Sequence, residues 1–302
     1  MNQQIVLLYY KYVDIARPKD IMIQQRAFCS QLGLKGRILI AREGINGTVE
    51  GTAQAVEKYI EYMESQEIFK GISYKKSEGD GNTFPKLVVK VRREIVTSEL
   101  GDEDVNPNQI TGEYLSAEEL HQWYEEGKDF YVVDMRNDYE QTVGHFEGSI
   151  LPGMENFRDL KKATEKLSYL KDKNVITVCT GGVRCEKASG YLVSKGFKKV
   201  YQLKDGIVTY MEKFPNKHFK GKLYVFDQRI VMGFNTDSPE HEIIGRCELC
   251  KQPSENYVNC ADPECHKHFI CCINCLINGL PYCKPECLSK IKNEKSTERV
   301  AV

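Results

Sequence analysis

Apolar positions change their spacing several times along the chain, and each change marks an element. Residues 5–13 (IVLLYYKYV) form an apolar, β-rich run of strand length. Between Ile21 and Leu32 the apolar positions return at helical spacing, and the pattern stops at Gly33. RILIA (37–41) and INGTVEG (45–51) read as two short strands folded back around Arg42-Glu43-Gly44. A second helix is expected from about Ala53 to Ser65, where Val56, Tyr59, Ile60 and Met63 share one face. Residues 72–76 and 86–92 supply further strand.

The resulting order, β-α-β-β-α-β, is that of a ferredoxin-like split unit. Residues 94–113 (EIVTSELGDEDVNPNQITGE) are acidic and turn-rich with little periodicity, which predicts a linker or exposed crossover. Periodicity resumes at Leu115. Ser116 and Glu119 form a capping-box pattern ahead of Leu120, Trp123 and Tyr124. FYVVDMR (130–136) reads as a buried strand ending in Asp134 and Arg136; residues 144–150 read as a loop and 156–170 as a helix. Val175 to Val178 form a β-branched strand that stops at Cys179, and a helix follows from about Cys185 to Lys195. KKVYQLKDGI (198–207) is a last strand ending in a glycine turn. Strands alternating with helices predict a parallel α/β sheet with ligands at the strand C-terminal ends.

At 302 residues the chain suggests two or three domains. Its 41% hydrophobic and 10% aromatic content is that of a soluble globular protein. No apolar run is long enough for a membrane span, and the N-terminus lacks the signal-peptide pattern, so the cytoplasm is the expected compartment. The net charge of −1 hides segregation. Residues 1–93 hold 15 Lys/Arg against 10 Asp/Glu, residues 94–147 hold 2 against 15, and residues 148–302 hold 25 against 18. Two basic flanks suit a polyanion such as RNA, although three solvated surfaces of differing sign would read the same way.

The sharpest chemical signal is the loop after the strand at 175–178. Cys179 stands at its mouth, Thr180, Gly181, Gly182 and Val183 form a cradle of backbone N–H groups, and Arg184 closes it at a helix start. A thiol there has a lowered pKa and is a nucleophile near neutral pH. A phosphatase loop of the C-x5-R kind needs its arginine one position later, where this chain has Cys185, so a sulfur-bearing cradle is favoured. Cys185 either resolves a persulfide as a disulfide or packs. Asp134 and Arg136 read as an ion pair that supports the loop. Of the 12 cysteines, nine lie between 247 and 287. Cys247/Cys250 with Cys272/Cys275 and Cys260/Cys265 with Cys283/Cys287 would make a cross-braced pair of zinc sites, leaving Cys271 spare and His266 and His268 in reserve. One site using only some pairs, or a metal-free tail, would show the same spacing. No His-x-Asp/Glu pair of a non-haem iron triad and no dinucleotide fingerprint is seen.

D-M-R at 134–136, Glu140, G-H-F at 144–146 and C-T-G-G-V-R at 179–184 together resemble a rhodanese domain, whose first loop cysteine carries a persulfide. With A-R-E-G-I-N-G-T (41–48) before it and V-N-C-A-D-P-E-C (258–265) after it, the whole chain resembles the oxygen-dependent tRNA uridine-34 hydroxylases. The resemblance implies a ferredoxin-like or acylphosphatase-like domain at 1–93, a linker at 94–113 and a rhodanese domain with a parallel sheet at 114–220. A connector at 221–243, a Cys-rich zinc module at 244–290 and a frayed tail at 291–302 complete the expected order. It further implies 5-hydroxylation of the wobble uridine of tRNA, with molecular oxygen and an electron donor as co-substrates and one or two structural zinc ions. A sulfur or electron donor protein is the expected second partner, no membrane is involved, and the oligomeric state is left open. The alternative is a sulfurtransferase passing persulfide sulfur to an acceptor; a non-enzymatic RNA- or protein-binding module is a third class.

Overall fold

The computed structural model describes residues 3–265, 267–277, 279 and 281–290. The frayed tail expected at 291–302 and the reserve ligand His266 lie outside the described residues. Among the described residues no helix is long and apolar enough to cross a membrane.

The first unit runs β1 (Gln4–Tyr12), α1 (Pro18–Gln31), β2 (Lys35–Ala41), β3 (Gly44–Thr52), α2 (Ala53–Ser65), β4 (Tyr74–Gly79) and β5 (Leu87–Val91). Pro18 opens α1, where its missing N–H costs nothing, and the Thr52 hydroxyl caps α2 by accepting from Ala55 N at 3.2 Å. The sheet order is β4-β1-β3-β2-β5. Strand period two sorts the side chains. Leu7, Tyr9, Ile38, Ile40 and Val49 point into a core with Val56, Tyr59 and Met63 of α2. Their alternates occupy the opposite face, where Leu8 pairs with Thr48 and Thr48 with Arg37, while Tyr10 pairs with Asn46 and Asn46 with Leu39. The two late strand segments lie at opposite edges, β5 parallel to β2.

The second unit contains β6 (Glu113–Leu115), α3 (Ala117–Glu125), β7 (Tyr131–Asp134), α4 (Asp138–Gln141), β8 (Gly144–Phe146), α5 (Leu160–Lys166), β9 (Asn174–Val178), α6 (Val183–Ser194), β10 (Lys199–Leu203) and α7 (Gly206–Lys213). Its four-stranded sheet, β6-β10-β9-β7, is parallel throughout. Central β9 sends Val175 to one core and Ile176 and Val178 into the other, as expected of a parallel strand covered on both faces. Its C-terminal end therefore delivers Cys179 to the carboxyl edge of the parallel sheet, the edge at which open α/β sheets bind ligands.

Four sequence expectations change. The segment 94–113 is no exposed linker: Ile95, Ser98, Leu100 and Val105 are buried, and its carboxylates have a buried lysine to neutralise. The expected loop at 144–150 begins with β8, which pairs antiparallel with β11 (Phe219–Gly221). The helix expected at 156–170 is broken into a 3-10 turn, α5 and a second 3-10 turn. The connector at 221–243 carries the hairpin of β12 (Leu223–Tyr224) and β13 (Val231–Met232) and packs Val225 against the body of the protein. The tail adds β14 (Tyr257–Asn259), β15 (His268–Ile270) and α8 (Ile273–Ile277).

Candidate active site

The loop from β9 to α6 meets the second face of the first sheet. Gly182 takes φ +98°, and a Cβ there would stand 2.8 Å from Tyr10 Oη; at Gly181 a Cβ would stand 2.7 Å from Leu8. Two glycines are therefore what allows the loop to lie directly against β1. The loop is held from behind by Ile207 N–H donating to Cys179 O at 2.9 Å and Val208 N–H to Thr180 O at 3.1 Å. Tyr12 donates to the Val183 carbonyl at 3.2 Å, and Tyr10 to Glu186 at 3.0 Å.

Cys179 is fully buried at the floor of this junction, and its Sγ accepts from Gly182 N–H at 3.2 Å. Burial pushes its thiol up, but the Cys185 thiol, the Arg184 guanidinium and the N–H groups of Cys185 and Arg184 outweigh burial and bring it to about 6. Cys185, also fully buried, is pushed up by its own burial and by the neighbouring Cys179. The pair thus shares one charge, carried by Cys179.

Arg184 makes a bidentate pair with Glu140, Nη1 to Oε1 at 2.5 Å and Nη2 to Oε2 at 2.8 Å, and reaches Thr180 Oγ1 at 3.3 Å. Its fork holds the far end of the loop as well as facing the cleft. Glu140, in the sequence motif but without a role there, is its counter-ion. Asp134 and Arg136 pair at 2.6 Å, both fully buried. Arg136 also donates to Gly144 O at 2.6 Å, and Met135 N–H donates to Val178 O at 2.8 Å, so this pair braces the strand end next to Cys179.

A cleft of about 320 Å³ opens above the thiol. Leu8, Tyr10, Asn46 and Thr48 from the first sheet form one wall; Phe84, Asn137 and Phe226 close it around the loop. Nothing in local spacing signals this wall, since alternation shows that these residues share a face but not what the face meets. Behind the loop, fully buried Lys187 binds Glu43 at 2.9 Å, Asp104 at 3.0 Å and Glu94 at 3.5 Å. Glu43, read in the sequence as a turn residue, is therefore one leg of the tie between the first sheet and α6.

In the tail, Cys247, Cys250, Cys272 and Cys275 bring their sulfurs within 4.8 Å of one another, and so do Cys260, Cys265, Cys283 and Cys287. All are free thiols, and each set of four soft donors can hold a metal ion. Cys271 belongs to neither set, and His268 Nδ1 lies 3.0 Å from the Tyr224 hydroxyl.

Profiles of known families cover most of the chain. The UPF0176 acylphosphatase like domain matches residues 4–95, the Rhodanese-like domain 116–213 and the Rhodanase C-terminal region 220–288. A protein of Bacillus cytotoxicus named tRNA uridine(34) hydroxylase is 44% identical over 285 residues, covering 93% of this chain and 87% of its own. One of the same name from Bacillus thuringiensis is 43% identical over 305 residues, covering 98% and 94%. Among solved structures, a rhodanese-like domain from Anabaena sp. covers 36% of this chain and 78% of its own, at 21% identity and a TM-score of 0.31.

Proposed function

The chain belongs to the tRNA uridine(34) hydroxylase family, and on that premise we propose that it hydroxylates C5 of the wobble uridine of tRNA with Cys179 as the reacting group. The observation that carries this reading is the cleft of about 320 Å³ with Cys179 at its floor. That volume lies in the range of single small-ligand sites, roughly 300–1,000 Å³, and is far too narrow for a nucleic-acid helix. A loop base, unpaired and able to swing out, is the part of tRNA that fits. Tyr10, Phe84 and Phe226 line the cleft with aromatic surface suited to packing a base, and Asn46 and Asn137 line it with amides. Beside the cleft, Arg92, Arg93 and Arg158 line an adjoining hollow together with Glu94 and Glu99, the latter paired with Arg158 at 3.0 Å, which leaves Arg92 and Arg93 for the phosphates of neighbouring nucleotides.

Insertion of one oxygen atom into a C–H bond consumes molecular oxygen, two electrons and two protons, and yields the C–OH bond and water. Molecular oxygen and an external electron donor are therefore the co-substrates of the proposal. The chain's own part is to extrude and orient the uracil, to exclude bulk water, and to hold Cys179 as thiolate or persulfide beside it. Cys185 stands as the resolving thiol: once it has given up its proton, its attack on a Cys179 persulfide loaded by a sulfur-donor protein would form the Cys179–Cys185 disulfide and release hydrosulfide, and the external electron donor would reduce that disulfide again. The two tetrathiolate sets would hold zinc and fix the tail's fold. The reaction is placed in the cytoplasm, where thiols stay reduced.

Mass spectrometry of tRNA nucleosides from cells lacking the protein, complemented with wild type or Cys179→Ser, tests the reading. Wild type is expected to restore 5-hydroxyuridine-derived nucleosides and Cys179→Ser to leave them absent. Unchanged levels in the deletion would refute it. Loss of thiolated nucleosides instead would favour sulfur transfer, the reading that the persulfide cradle supports next best.

A further inference from the structure

Outside the cleft and the tail, the described residues bring together one further set of ligand-type side chains. His121 and Glu125 stand four apart on one face of α3, and His218, just before β11, meets them. One donor atom from each lies within 4.8 Å of the other two. His218 Nε2 is 3.1 Å from Glu125 Oε1. Both rings are pinned by stacking: His121 on Phe214 and His218 on Tyr124, each with ring centres 4.1 Å apart. His121 Nδ1 lies 3.3 Å from the hydroxyl of buried Tyr210.

We propose that His121, Glu125 and His218 form a binding site for a divalent first-row transition ion, distinct from the tail thiolates and from the Cys179 cleft. A hydrogen bond to Glu125 accounts for one histidine; it does not account for the second imidazole converging on the same point. Stacking has already removed most of the rings' rotational freedom, so little ordering remains to be done on binding. Zinc holds nitrogen and oxygen donors at about 2.0–2.2 Å, which sets tetrahedral donors about 3.3 Å apart. Glu125 is 63% exposed and free to close that gap. In the proposed site Nδ1–H of His121 donates to the Tyr210 hydroxyl 3.3 Å away, which would leave Nε2 for the ion, the usual outer-shell device. Two imidazoles and a carboxylate are a borderline donor set, unlike the all-sulfur sets of the tail. Three protein ligands leave a position for water. The ion would tie α3 to the start of the strand that pairs with β8.

The test uses the full-length protein with its tail thiolates already saturated with zinc. Calorimetric titration with further zinc(II) is expected to find one more ion per chain. Glu125→Gln should weaken that binding more than tenfold, His218→Gln should abolish it, and Tyr210→Phe should weaken it roughly 10–100-fold. Cobalt(II) added to this zinc-saturated protein should show nitrogen–oxygen ligand-field bands that vanish in His218→Gln, with no thiolate-to-cobalt charge transfer from the zinc-filled tail in either protein. Thermal unfolding without added metal checks that each variant is folded; Glu125→Gln, on an exposed side chain, carries the test if a histidine variant is not. No further ion in the wild type, or equal binding in the wild type and Glu125→Gln, would overturn the proposal.

Discussion

Replacing Arg184 with Gln separates two jobs that one guanidinium performs. Its side chain and that of Glu140 are nine-tenths or more buried, so little solvent screening tempers the pair. Removing one partner of a buried pair costs about 3–5 kcal/mol, because the other charge stays buried alone. Against burial, which raises the Cys179 thiol, the Cys185 thiol is the largest lowering influence and Arg184 the next. Of these two only Arg184 carries a net charge. A nearby opposite charge favours the ionised form by about 1–3 pH units, so Arg184→Gln should move the thiol from about 6 to roughly 7–9. At pH 7 the thiolate fraction then falls from roughly nine-tenths to between about one-half and one-hundredth. The assay is the pH dependence of Cys179 alkylation, followed by peptide mass spectrometry, beside urea denaturation. The sign is fixed: a depressed thiol is reactive above its folded pKa, and the stability it contributes is lost as pH falls from about 9 to about 6. The double variant Arg184→Gln/Glu140→Gln should recover most of the stability, since no charge is left unpaired, but not the low-pH reactivity. An acid limb still at about 6 in Arg184→Gln, with wild-type stability, would refute the reasoning.

Three further outcomes are expected. Lys187→Met leaves Glu43, Glu94 and Asp104 without their shared cation; Glu43 and Asp104 are partly exposed, so the loss should sit near the lower end, about 3 kcal/mol by urea denaturation, with faster proteolysis inside 94–113. Gly182→Ala forces a side chain into a left-handed position beside Tyr10 and should cost about 1–2 kcal/mol, while hydroxylation in the nucleoside assay falls further than stability because the amides aimed at the sulfur turn away. Stripping metal with a strong chelator should release the two tail ions, beside any held by His121, Glu125 and His218, and expose 244–290 to protease, with the acid limb of Cys179 alkylation unmoved.

Much of the architecture was legible because short-range spacing carries it. The first unit's alternation of strand and helix, the capping box at Ser116 and Glu119, and the apolar run at β9 are each set within about one turn or one strand of chain. The broken helix at 156–170 was not legible, because its apolar residues suit a helix and only packing decides where it bends. Residues 94–113 misled for a related reason: a run of carboxylates looks solvated until the position of Lys187 is known. The triad of His121, Glu125 and His218 left half a signal, the His-x3-Glu spacing on α3, with its third member far downstream.

By itself the sequence marked Cys179 and the loop around it, since strand end, glycine pair and helix start are contiguous. It also determined that eight cysteines come in ligand-spaced pairs. Tertiary structure decided what those groups work against. It set Glu140 on Arg184 across 44 positions and Tyr10 on Glu186 across 176, and so turned one sheet's outer face into the wall of a cleft. Local spacing encodes which side chains share a face, because backbone geometry repeats over two or three residues. It does not encode which faces meet, because that depends on how whole elements pack, and the cleft over Cys179 exists only where two such faces meet.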